Sequence, residues 1–220
     1  QTCALPISAL TLRVGAPTIM TFGRLSETYI AEQEIYTAEA QQIFQVERHS
    51  MIAGVRAQSG SFDVTESFSP QLRVSGLPFG FNINSPMRVL SSDFDRVNGY
   101  LYGHIRPLDS LVLIAGVSYD RLHYPRNLRR SPVTADEDTV GQLSPKAGIV
   151  WTPSKSTVFR GAYSHGLGGV SYDQSFSLEP SQIAGVNQAY RSVMPEALVG
   201  SLSAEPFRVA GLNWDQKISA

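Results

Sequence analysis

The 220-residue sequence predicts an all-β fold: an antiparallel up-and-down transmembrane β-barrel fragment, with short turns on one side and long loops on the other. Two observations predict it. Polar and apolar residues alternate in runs of roughly ten, and the runs are joined in turn by very short and very long connections. Period-two alternation gives a strand one apolar and one wet face. Strands of that length with unequal connections imply an outer membrane, and passage or capture of a solute.

The elements follow in order. Gln1 to Ile7 is what a common sequencing-adaptor string encodes, so residues 1–7 are expected to be an artefact. Residues 8–220 then form a partial barrel domain, truncated at both ends. Cys3, the only cysteine, falls in the adaptor segment, which leaves no disulfide, zinc site or cysteine nucleophile to build. A first strand is expected around Ala9–Val14. The hairpin from Gln33 to Ser59 places Tyr36, Ala38, Ala40, Phe44 and Val46 against Thr37, Glu39, Gln41 and Gln45. It turns at Glu47–Ser50, with Val46 opposite Met51. Gly60–Phe94, rich in Ser, Pro, Gly and Asn, reads as a long loop.

The second hairpin runs from Asp95 to Arg121 and turns at Pro107–Ser110. Pairing Ile105 with Leu111 sets Leu101 opposite Ala115, and the two apolar faces coincide. Leu122–Gln142 is the next expected loop. The third hairpin, Leu143–His165, turns at Thr152–Ser156 with Trp151 opposite Thr157. Gly166–Pro180 is read as a third long segment, followed by strands near Ser181–Tyr190 and Glu205–Trp214. Tyr36, Phe44, Tyr119, Trp151 and Tyr163 stand near strand ends, where aromatic girdles form.

Composition fits this fold and excludes others. Hydrophobic residues make up 42% and charged residues 17%, too apolar for disorder and low in charge for a soluble domain. A net charge of −1 offers no bulk attraction to nucleic acid, so no nucleic-acid partner is expected. No apolar run is long enough for a helical span.

The chemical candidates are few. Glu39, Arg56, Arg96, Tyr102, Arg106 and Lys146 lie on the wet face, where they would line a lumen and meet a ligand. Arg126, Arg129 and Arg130 sit in the loop after the second hairpin. Their guanidinium forks suit lipopolysaccharide phosphates or an anionic solute, while Asp136, Glu137 and Asp138 compete for them. His49, His104, His123 and His165 have no metal-ligand spacing, so neither metal nor cofactor is expected. A relay of His104, Ser118 and Asp120 fails because the strand register holds His104 and Asp120 far apart. No catalytic residue is expected. The small residues of the apolar face, such as Ala53, Gly99, Gly103 and Ala115, would fill a soluble core thinly, which favours lipid contact over a soluble β-sandwich binding domain.

One stretch carries a family resemblance. Leu143-Ser-Pro-Lys-Ala-Gly-Ile-Val-Trp-Thr-Pro153, then Ser156-Thr-Val-Phe-Arg-Gly-Ala-Tyr-Ser-His-Gly166, resembles paired barrel strands of TonB-dependent receptors. Leu178-Glu-Pro-Ser-Gln182 is similar to the family's Leu-x-Pro-Glu segment, with Ser where Glu is usual. The resemblance implies an outer-membrane barrel for solute uptake, with outer-membrane lipid, a TonB-type energising partner and a small solute as partners. Residues 178–190 also resemble the barrel end of tetratricopeptide-repeat outer-membrane export proteins, and the sequence leaves that alternative open.

Overall fold

The computed structural model describes residues 21–74, 80–82, 87–127, 134–168, 177–188 and 204–218. Every regular element among them is a strand: β1 (Thr21–Val46), β2 (His49–Val74), β3 (Gly80–Asn82), β4 (Arg88–Leu108), β5 (Leu111–Asn127), β6 (Thr134–Ser154), β7 (Thr157–Gly168), β8 (Gln182–Ile183), β9 (Val186–Asn187) and β10 (Glu205–Gln216). The main sheet runs β1-β2-β4-β5-β6-β7-β10, with β3 paired to β2, while β8 and β9 form a separate two-stranded sheet. Neighbours in sequence are neighbours in space, the up-and-down order that the alternation predicts. Expectations resting on residues 1–20, the adaptor segment and the first strand among them, lie outside the described residues.

Two of the expected registers need correction, and one physical feature explains both. β4 and β5 pair Leu101 with Val117 and Gly103 with Ala115, not Leu101 with Ala115. β6 and β7 pair Trp151 with Phe159 and Ile149 with Gly161, not Trp151 with Thr157. Both are displaced by two residues, so parity holds and the apolar faces still coincide. The turns are tighter than expected, only Asp109–Ser110 and Lys155–Ser156, with strand running through Pro107 and Pro153. A register irregularity falls between Ile105 and Leu108 and another between Trp151 and Ser154. A proline has no N–H for the ladder and is tolerated at a bulge. Each proline thus marks the bulge before a two-residue turn rather than the turn itself.

The first hairpin also turns on two residues, Glu47 and Arg48, with Glu47 at φ 26°. The three turns are stitched to the strands beside them. Arg48 C=O accepts from Arg106 N–H at 2.9 Å, Ser110 C=O from Thr152 N–H at 2.7 Å, and Ser156 C=O from Lys217 N–H at 2.8 Å. In every case the second turn residue is the acceptor, which satisfies a carbonyl that the turn leaves without a ladder partner.

The expected loops shrink because the strands continue. Most of Gly60–Phe94 is strand, β2 extending to Val74 and β4 starting at Arg88. Likewise β5 reaches Asn127 and β6 starts at Thr134, inside the expected loop. Period-two burial persists along β2, with Phe62, Val64 and Glu66 buried and Asp63 exposed. Apolar residues now take the buried face, so a search for apolar-outward alternation reads the stretch as irregular. The strand expected near Ser181–Tyr190 is instead a miniature hairpin. Gln182 pairs with Asn187 and Ile183 with Val186. Its turn, Ala184–Gly185, has φ of 50° and 84°, the left-handed pair that a two-residue hairpin requires.

The chain divides into two compact units. The first comprises residues 1–34, 61–93 and 125–137; within it Glu137 accepts from Ser92 Oγ at 2.9 Å and from Asp93 N–H at 3.1 Å. The second comprises residues 35–60, 94–124 and 138–220 and holds the three short turns and most of the candidate residues.

Candidate functional site

Within the second unit the sheet buries its polar face and exposes its apolar one. On β4, Val97, Leu101 and Ile105 are exposed, while Asn98, Tyr100 and Tyr102 are buried. Opposite them on β5, Leu113, Val117 and Tyr119 are exposed, and Ser118 and Asp120 buried. β6 repeats this, with Ile149 and Trp151 out and Ser144 and Lys146 in, and on β10 Leu212 is 93% exposed. The expected girdle residues Tyr36, Phe44, Tyr119, Trp151 and Tyr163 are all exposed. Near the short turns Trp151 stacks on Phe159 at 5.5 Å, and Phe159 on Trp214 at 6.2 Å between ring centroids. A water-facing sheet would be arranged the other way round.

The buried face is organised by two tyrosines and two charge clusters. The Tyr100 and Tyr102 rings lie over neighbouring strands where glycine leaves room: a Cβ at Gly54 would come within 2.3 Å of Tyr100, and one at Gly116 within 2.6 Å of Tyr102. Along β4 and β5, Asp120 Oδ1 accepts from Arg96 Nε at 3.0 Å, from its terminal nitrogen at 2.6 Å, and from Asn98 Nδ2 at 3.0 Å. With one carboxylate oxygen holding three donors, Arg96 is fixed along the face.

The second cluster is built around a segment that folds onto this face. Glu179 Oε1 accepts from Lys146 Nζ at 2.7 Å and from Tyr102 Oη at 2.6 Å. Lys146 also donates to Tyr102 Oη at 2.7 Å, and Gln188 Nε2 donates to the same oxygen at 3.1 Å. All four side chains are buried. Glu39 Oε2 takes the Leu178 N–H at 3.0 Å, Gln41 donates to Leu178 C=O at 2.6 Å, and Tyr100 Oη donates to Glu39 Oε1 at 3.0 Å. Between these polar ties Ile183 packs on Tyr100 and Tyr102, with Ile52, Ile114 and Ala162 around them.

The structure thus brings together Glu39, Tyr102 and Lys146, sets Arg96 on the same face with Asp120, and buries Arg56. Arg106 departs from expectation. The bulge before Pro107 carries it out of the alternation, and it is exposed beside the first turn with Arg48 and His49. Arg126 is exposed and belongs to the first unit, and Arg129 and Arg130 lie outside the described residues. The rejected relay stays rejected in the corrected register. His104 pairs with Ile114 rather than Val112, so Asp120 is six positions further along, about 20 Å at strand rise, and already holds Arg96.

Sequence reasoning missed Glu179 and Gln188, and weighed Asp120 only as part of a relay rather than as the acceptor for Arg96 and Asn98. For Glu179 a signal existed: an acid between Leu178 and Pro180, in a segment singled out for its resemblance. Gln188 lies in the same stretch, 178–190, but nothing in its type or spacing set it apart. The arrangement presents fixed donors and acceptors to polar groups.

Comparison with known proteins now bears on this geometry. The family described as TonB dependent receptor-like, beta-barrel matches residues 11–196. Among curated proteins none matches the chain.

Proposed function

The chain belongs to the TonB dependent receptor-like β-barrel family, and from that premise we propose that it is an outer-membrane barrel for receptor-like uptake of a small solute. The observation that carries this reading is the inverted burial: large apolar side chains from Tyr36 to Trp214 are exposed while Lys146, Glu179, Arg56 and Asp120 are buried. Exposed to water, such a continuous apolar face would far exceed the few hundred Å² that monomeric soluble proteins leave uncovered. Against lipid it is the ordinary outer surface of a barrel, and the aromatic residues at strand ends suit the interfaces. The soluble β-sandwich has no use for this arrangement.

The residues proposed to meet solute are those of the polar face: Glu39, Arg56, Arg96, Tyr102 and Lys146. Arg106, exposed at the short-turn end, is proposed to act at the mouth, and Arg126, Arg129 and Arg130 to meet anionic groups. The small solute and the TonB-type energising partner are carried over from the family. Uptake needs no bond-making residue, and none is assigned. Fractionation tests the reading. We expect the protein in the outer membrane, with heat-modifiable mobility in detergent and retention on an immobilised periplasmic domain of the energising protein. Recovery as a soluble protein without detergent would overturn the barrel. Insertion without retention would leave the barrel and remove the energised step.

A further inference from the structure

We propose that Ser177–Gln188 is a latched internal gate, folded across the polar face and held closed by the buried Lys146–Glu179–Tyr102 cluster. The proposal rests on the membrane-barrel reading, in which that face lines the path of the solute.

Three observations carry it. The first is reach: the segment is tied to β1 through Glu39 and Gln41, to β4 through Tyr102 and to β6 through Lys146, so it crosses strands that are not neighbours in the sheet. The second is a seat shaped for it. A Cβ at Gly148 would come within 2.6 Å of Ile183 and 3.1 Å of Ala184, and one at Gly211 within 3.2 Å of Val186. Two strands therefore lack a side chain where the miniature hairpin rests.

The third is the nature of the holding contacts. They are directional hydrogen bonds and one buried ion pair, and the largest apolar anchor is Ile183. The attraction within a buried ion pair is largely offset by desolvation of its members. Such a pair fixes geometry closely while adding little net stability, which suits a contact that must open. A permanent clasp would be better made of aliphatic packing. Release moves Glu179 and Lys146 into the hydrated interior, where water takes over their hydrogen bonds. The β8–β9 hairpin keeps its own pairing meanwhile, through Gln182–Asn187 at 2.8 Å and the bond from Gln188 N–H to Ser181 C=O at 2.9 Å.

The test uses the whole protein in planar lipid bilayers, with ion conductance as the readout and heat-modifiable mobility as the check on assembly. Glu179→Gln weakens the latch, and Gly148→Ala lifts Ile183 from its seat with every charge intact. Each is expected to raise mean conductance about tenfold, Glu179→Gln because loss of a charge-assisted hydrogen bond shifts a two-state equilibrium, and Gly148→Ala because the overpacked seat disfavours the closed state by a similar amount. A Gln41→Cys, Leu178→Cys disulfide in either background is expected to restore the parent conductance until reductant is added. Assembled variants that conduct like the parent would overturn the gate, as would failure of both variants to assemble, since the segment would then be a structural clasp. A parent protein that does not insert would remove the barrel reading itself.

Discussion

Leu101 and Tyr102 are adjacent on β4, yet the structure leaves the first 43% exposed and the second 1%. They stand for the two faces of one sheet. The exposed face is simple: aliphatic and aromatic side chains that touch one another, and at Gly99 nothing lies within 4 Å of where a Cβ would stand. The buried face is specific: Asp120, Tyr102, Lys146 and Glu179 are tied to named partners, and the Tyr100 and Tyr102 rings lie over glycines. The difference teaches that the outer face is selected for compatibility with a solvent, whereas the inner face is selected for geometry. Substitutions on the two faces should therefore fail in different ways.

The largest expected effect is on the inner face. Asp120→Ala strands Arg96 and Asn98 without their acceptor and should cost about 3–5 kcal/mol, the penalty for breaking a buried pair, read as a fall in the denaturant midpoint of the folded protein in detergent. A cost below 1 kcal/mol would mean that this face is as tolerant as the outer one. Next comes Leu101→Arg, expected to cost about 2–4 kcal/mol near the bilayer midplane. The same change at Ser118, buried on the polar face, meets no lipid, so its cost should be one of overpacking, about 1–3 kcal/mol. That cost should not grow with bilayer thickness as the one at Leu101 does; equal dependence at both positions would erase the distinction.

A finer contrast comes from two glycines. Gly116→Ala drives a Cβ into the base of the Tyr102 ring and should cost about 1–3 kcal/mol by overpacking. Gly99→Ala meets open space and should leave stability unchanged or raise it by roughly 0.4–1 kcal/mol through the unfolded chain. Paired unfolding curves decide this, and a reversed order would place the faces wrongly. Smallest of all is Asp109→Ala. Its ion pair with Arg48 is exposed, and such pairs are worth about 0–1 kcal/mol. A larger loss would show that the turn is held by more than its backbone bonds.

The strands and their faces were legible because alternation has a period of two, and even a register displaced by two residues keeps it. What misled was proline. Pro107 and Pro153 read as turn residues from sequence, and only the bulge beside each shows why the strand passes through them. The β2 extension misled for another reason: Phe62 and Val64 turn inward where the apolar residues nearer the turn face out, so one alternation rule could not serve the whole strand. Of the candidate site, Glu39, Tyr102 and Lys146 were readable as one wet face. Glu179 stood out only by its place between Leu178 and Pro180; its pairing with Tyr102 and Lys146 was not readable, because it arrives from 33 residues beyond Lys146 by a fold-back that no local pattern encodes.

The central claim, that the apolar face meets lipid, is tested most directly by single nitroxide labels at each position from Val97 to Ile105 in the bilayer-inserted protein, with Cys3 replaced. Collisions with oxygen, which concentrates in lipid, should peak at Val97, Gly99, Leu101, Gly103 and Ile105 and fall at Asn98, Tyr100, Tyr102 and His104. Collisions with a water-soluble nickel chelate should be low at the first set. High chelate accessibility at Leu101 and its odd-numbered neighbours, with the oxygen pattern flat or inverted, would contradict the account.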